Sequence, residues 1–306
     1  MVRFTFLIFL FFLISCGSSQ EEKVASSIDR AQTYLSKGKC DEALNELNEA
    51  RDLENAIYLQ VLASAYACKG EVEIVDVITE IQNINTNNVF SELSKKNFAS
   101  SDNLTNFNHL KKSLDVILSS TSVVSQGARD EEFGKRKGQD LGMQLLFYSV
   151  IQAAKFTNYF GNTANGKKGD HTGSNLCFLE YTTVVANLFD PNPLYTIPAT
   201  NACQAAGDGH PELDIATPSG RANACQGVIA INNVLDTLGS LDFGDSQELK
   251  VLKDISEKIS ALKAILISID PSLTYLFDVR GAQDCLDLDD REIELFIFTF
   301  YEMGLE

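Results

Sequence analysis

The stretch AQTYLSKGKCDEALNELNEARDL, residues 31–53, decides how the chain begins to fold. Ala31, Tyr34 and Leu35 fall at three- and four-residue spacing, as do Ala43, Leu44, Leu47 and Ala50. That is the period of an amphipathic helix with one apolar face. Between the two runs stands Gly38, which adopts a positive φ at no steric cost. The reading is two helices turned back on each other. The helical pattern extends outward from this core over residues 24–84.

A second, weaker version of the phrase begins at Leu59 and continues through Leu62, Ala63, Tyr66, Gly70 and Val72. Its glycine lies 32 residues beyond Gly38. Together with Leu53, these positions resemble the tetratricopeptide repeat, a helix-turn-helix unit with a period of about 34 residues. The departures are Asn55 where a proline is usual, Val75 where a small residue belongs, and Ser27 and Arg30 in the first helix. A generic pair of helical hairpins fits the same spacing. The resemblance implies that Cys40, at the start of one helix, meets Cys68, at the end of the next. A bridge there would fasten one unit to the other, a staple of roughly 2–4 kcal/mol. It also implies a concave surface lined by the first helix of each pair, with Tyr34 and Tyr66 as contacts for a partner or as packing residues.

Downstream, residues 85–103 are rich in Asn, Ser and Thr and read as a linker around a short helix near residues 89–93. Leu104, Phe107, Leu110, Leu114, Ile117 and Leu118 predict a helix over 104–119. After a break at 119–127, one long helix is predicted over 131–160. Its first half carries Gly134, Gly138 and Gly142 at four-residue spacing, so it either admits a close neighbour or frays. Residues 161–220 are irregular, since five of the six prolines lie between Pro191 and Pro218, although 177–189 is compatible with a helix. Helices are expected again at about 222–239, 245–268, 271–278 and 289–303. Asp289 or Asp290 is placed to cap the last of these. That helix is apolar nearly all round, which demands central burial. No clear alternating strand occurs. The chain reads as mostly α: a helical-hairpin stack at 24–84, then a helical domain over 85–306 with an irregular, disulfide-linked insertion.

The N-terminus carries a different signal. Arg3 precedes an apolar run, residues 4–14, too short to cross a bilayer core as a helix. It ends in Leu13-Ile14-Ser15-Cys16-Gly17, which resembles the bacterial lipobox. The resemblance implies removal of residues 1–15, acylation of Cys16, a polar tether over 16–23, and anchoring to the cell envelope. Gly17 in place of Asp implies the outer membrane, with the body facing the periplasm. The alternatives are an ordinary signal peptide with a chance cysteine and a buried N-terminal helix. Six further cysteines remain: Cys40, Cys68, Cys177, Cys203, Cys225 and Cys285. An even number in an exported chain suggests disulfides. Beyond Cys40–Cys68 the expected pairs are Cys203–Cys225, closing the proline-rich loop, and Cys177–Cys285.

Composition narrows the function classes. The hydrophobic fraction is 44%, enough for a sizeable core. With 42 acidic and 25 basic residues, the net charge of −17 argues against nucleic-acid binding and against a polybasic membrane surface. Three histidines and no CxxC pair leave little for a zinc site. The loop Asp208 to Asp214 lacks the spacing of a calcium loop, and the cluster Asp284, Asp287, Asp289 and Asp290 reads as helix capping. His171 beside Asp170 has no nucleophile motif with it, and His109 reads as a partly exposed helix residue. No catalytic motif, metal site or cofactor is expected. The predicted function is a lipid-anchored envelope scaffold or adaptor binding a protein or peptide partner. A small-ligand-binding or transporter-associated lipoprotein is the alternative, and an enzyme with a dispersed site is the third.

Overall fold

The computed structural model describes residues 19–72, 79, 104–119, 125–160, 177–179, 209–241 and 250–302. The leader, Cys16, the linker at 85–103, Cys203 and most of the irregular insertion lie outside the described residues. Within them the protein is mostly α-helical, and the only β feature is an isolated parallel bridge between Cys177 and Gly209.

Helix α1 (Gln20–Leu35) opens on a capping box. Ser19 Oγ accepts from the Glu22 amide, and the Glu22 carboxylate accepts from the Ser19 amide. The expected tether is therefore shorter than 16–23: residues from Ser19 on belong to the helix and its cap. Gly38, at φ +68°, turns the chain into α2 (Cys40–Glu49). Helix α3 (Ala56–Lys69) follows, with Asn55 capping it by accepting from the Ile57 and Tyr58 amides. Helix α1 packs on both α2 and α3. Ala31, Ala43, Leu47, Leu59 and Ala63 are fully buried between them. Cys40, at the start of α2, is joined to Cys68, near the end of α3, with Cα atoms 5.6 Å apart.

Helix α4 (Leu104–Ser119) packs against α3 and has the bounds its apolar spacing predicts. The next segment differs from expectation. Instead of one helix over 131–160 there are two, α5 (Gln126–Phe133) and α6 (Lys135–Phe160). The break is Gly134 at φ +79°, a conformation that L side chains rarely adopt. The fold-back lays α5 along the glycine face of α6. A β-carbon on Gly138 would stand 2.7 Å from the Arg129 carbonyl oxygen, so this face exists to admit a close neighbour.

Helix α7 (Pro218–Ser240) begins with Pro at its first position and Thr217 as cap. It packs along α6, and Gly227 leaves room for the Phe156 ring. Helix α8 (Lys250–Ile269), a 3₁₀ segment at Pro271–Asp278, and the short α9 (Ala282–Leu286) then wrap α7. Helix α10 (Asp290–Ile297) carries a capping box from Asp289 and Glu292 and widens into a π turn at Phe298–Glu302. Every residue from Ile293 to Glu302 is buried, the apolar side chains together with Glu294, Thr299 and Glu302. Tyr301 and Phe178 pack on Phe156, with ring centroids 4.7 and 5.8 Å away. Each fully buried aromatic removes enough apolar surface from water to contribute about 2–3 kcal/mol.

Disulfide bonds are present, but two expected pairings are overturned. Cys225 is joined to Cys285, with Cα atoms 5.7 Å apart, so it pairs with neither Cys203 nor the loop. The reason is that Cys225 stands two turns inside α7, on the face against α9, and not on the rim of the proline-rich segment. Cys177 is not bonded to Cys285; it is a buried free thiol beside Gly209. No helix among the described residues is long and apolar enough to cross a membrane.

Candidate functional site

The surface proposed for partner contact begins with Tyr34 and Tyr66. Both rings are half-buried and pack against the common core. The Tyr34 carbonyl accepts from the Lys37 and Lys39 amides, so its backbone holds the turn around Gly38. Tyr66 lies under the Lys112 ammonium of α4, 5.9 Å from the ring centroid. The two tyrosines thus serve packing first.

One side of α3 is also closed. Helix α6 lies against it, and Gln144 Nε2 sits 3.0 Å from the Gln60 carbonyl oxygen, 2.9 Å from Ser64 Oγ and 3.0 Å from the Tyr148 hydroxyl. Of the α3 side chains only Ile57 is exposed. The hairpin stack is open along the outer face of α1, where Ser26, Asp29, Arg30, Gln32 and Thr33 are exposed, and of α2, where Asp41, Glu42, Asn45 and Asn48 are exposed. Arg30 Nε donates to Glu46 of α2 across 2.6 Å, bracing that face. At the opposite edge Lys69 pairs with Asp41 at 2.6 Å, beside the Cys40–Cys68 bridge.

A buried ionic cluster, for which the sequence carries no motif, joins α5, α7 and the segment before α9. The Arg129 side chain is fully buried. Asp236 accepts from the Gln126 amide at 2.9 Å and lies 3.4 Å from Arg129 Nη2 and 3.5 Å from Arg280 Nη2. The Gln126 carboxamide accepts from Arg129 and donates to Asp130 and to the Gly138 carbonyl. Burial pushes the Arg129 pKa down, and the Asp236 carboxylate opposes that shift. Two guanidinium groups around one carboxylate clamp these three segments together.

The Asp208–Asp214 loop is described from Gly209 onward. His210 Nδ1 accepts from the Glu212 amide at 3.2 Å and caps a 3₁₀ turn at Pro211–Leu213. The Tyr159 hydroxyl donates to Glu212 at 2.9 Å, and the His210 ring meets the Tyr159 and Phe160 rings. Burial lowers the His210 pKa, with Glu212 acting against it. His109, on α4, is lowered by burial as well, helped by Lys69 and Lys112. The acidic cluster before α10 is used structurally: Asp289 caps the helix and Asp290 pairs with Arg221. Among the described residues, no group of three or more His, Cys, Asp or Glu side chains is arranged to hold a metal ion.

No protein-family model, no curated protein and no solved structure matches the chain.

Proposed function

We propose that the protein is a lipid-anchored scaffold of the bacterial cell envelope, held through Cys16 to the outer membrane and facing the periplasm. It binds a protein or peptide partner through the helical-hairpin stack. The observation that carries this reading is the packing of α1 on both α2 and α3, with Cys40 and Cys68 bridging the ends of adjacent helices. That arrangement is the one a tetratricopeptide-like stack uses, and the disulfides suit an oxidising compartment. In this reading the partner docks on the outer faces of α1 and α2, around Asp29, Gln32 and Thr33, rather than in a groove reaching Tyr66, because α6 covers one side of α3. Exposed Asp29 of α1, Asp41 and Glu42 of α2, and the net charge of −17 favour a partner with a basic face.

The test is site-specific photo-crosslinking in intact envelopes. A photoreactive residue at Gln32 should give a discrete adduct with one polypeptide, while one at the exposed Lys253 of α8 should not. Equal, diffuse labelling at both positions would sink the scaffold reading.

A further inference from the structure

We infer that the acylated protein stands on the bilayer by one end of its first hairpin, with the turn between α2 and α3 and the start of α1 in contact with the lipid headgroups. This rests on the lipid-anchor reading of Cys16. The partner of this surface is the membrane itself.

The argument starts from chain length. The first capped residue is Ser19, whose side chain and backbone are both engaged with Glu22. Only Gly17 and Ser18 separate it from Cys16. Even fully extended, three residue steps reach about 11 Å. A headgroup layer occupies about 5–8 Å on each side of the hydrocarbon core. A folded end tied by so short a leash has nowhere to go but the lipid surface, and its local concentration there is held high by the tether.

Topology says what else shares that end. Ser27 Oγ donates to the Glu46 carbonyl, which sets Glu46 level with the middle of α1, and the last residues of α2 run on from there toward the start of α1. The connection at 50–55 and the N-terminus of α3 follow directly. Ile57 is therefore at the tethered end, and it is one of only three large hydrophobic side chains exposed among the described residues, at 42%. The same end carries exposed Lys23 and Arg51 together with Glu21, Glu22, Glu49 and Glu54. Charge therefore gives this end no attraction to an anionic surface. Contact is thus enforced by the covalent leash and helped by Ile57, and salt should not release it. The strongly acidic remainder of the molecule is repelled by an anionic bilayer, which keeps the body end-on rather than lying flat. The turn at Gly38 then points away, about 24 Å up the length of α1.

The chain has no tryptophan, so a single introduced Trp reports depth without background. The full-length acylated protein carrying Ile57→Trp, or Lys37→Trp beside the far turn, is reconstituted into phosphatidylethanolamine–phosphatidylglycerol vesicles with nitroxide-labelled headgroups. Glu21→Trp serves as a second near-end reporter in case Ile57→Trp perturbs the fold. Near-end fluorescence should be quenched about twofold or more, the far end by less than about a tenth, and 0.5 M salt should change neither. Inserting about twelve Gly/Ser residues before Ser19 gives a leash whose mean reach is roughly 20 Å, and the near-end quenching should collapse. Mass spectrometry of the Cys16 peptide runs in parallel. An acylated protein with equal quenching at both ends overturns the end-on contact alone. A Cys16 without acyl chains overturns the anchor and the contact together.

Discussion

The Gln126 side-chain oxygen lies 1.9 Å from the point that a β-carbon on Gly142 would occupy. That carboxamide holds Arg129, Asp130 and the Gly138 carbonyl at once, so it has no free direction in which to retreat. Gly142→Ala should therefore destabilise the protein by about 1–3 kcal/mol, although alanine is the better helix former by about 1 kcal/mol. Gly127→Ala, in open space on α5, should instead be neutral or stabilising by up to about 1 kcal/mol. Urea unfolding of the two variants separates steric from propensity effects, and equal shifts in midpoint would contradict the close approach of α5 and α6.

Asp236 lies within 3.5 Å of both Arg129 and Arg280 in the buried clamp. Asp236→Asn keeps the shape and removes the negative charge that faces both guanidinium groups. The expected loss is roughly 3–5 kcal/mol. Arg129→Met in the Asp236→Asn background should recover a substantial part of it, as measured by a double-mutant cycle.

The two disulfides differ in the length of chain they close: the bonded residues are 28 apart for Cys40–Cys68 and 60 apart for Cys225–Cys285. Loop-closure entropy puts their contributions at roughly 3.5 and 4 kcal/mol. Non-reducing peptide mapping should recover both pairs. Cys177, buried and unbonded, should react with an alkylating agent only after denaturation. Recovery of a Cys203–Cys225 peptide from freshly folded protein would contradict the placement of Cys225 on the α9 side of α7.

His210 must be neutral at Nδ1 to accept from the Glu212 amide, and burial holds its pKa below the ordinary 6.5. The unfolded chain then binds a proton more readily than the folded one. Stability from this residue is complete above pH 6.5 and falls as the pH drops through the depressed folded value. His210→Asn offers an acceptor oxygen in a similar place without titrating there. It should keep stability at pH 7.5 and flatten the decline between pH 6.5 and 5, read from urea midpoints across that range. An unchanged slope would remove His210 from the acid response.

How far the sequence could be read depends on the range of the interaction involved. Leu104 to Leu118 announce α4 because its apolar stripe is a local property, and Asp289 three residues before Glu292 announces the capping box of α10. The break at Gly134 was hidden in a run whose charged and apolar residues continue the helical period on both sides. The Cys225–Cys285 pair depends on which face of α7 meets α9, and spacing along the chain does not encode that. The Arg129–Asp236–Arg280 clamp gathers three charges from distant segments, each of which alone resembles an ordinary surface residue. Gln60 and Ser64 are covered because Gln144 carries α6 onto α3, a contact between distant segments that local spacing does not announce.

The centre of the larger core comes from residues 293–301, which lie far along the chain from the aromatic rings they cover. A chain synthesised N-terminus first delivers Phe156 and Phe178 well before Tyr301 arrives to shield them. During that interval the nascent body presents unshielded rings to its surroundings. Its maturation is therefore a matter of timing, and aggregation in that window, rather than final thermodynamic stability, should limit the yield of folded protein.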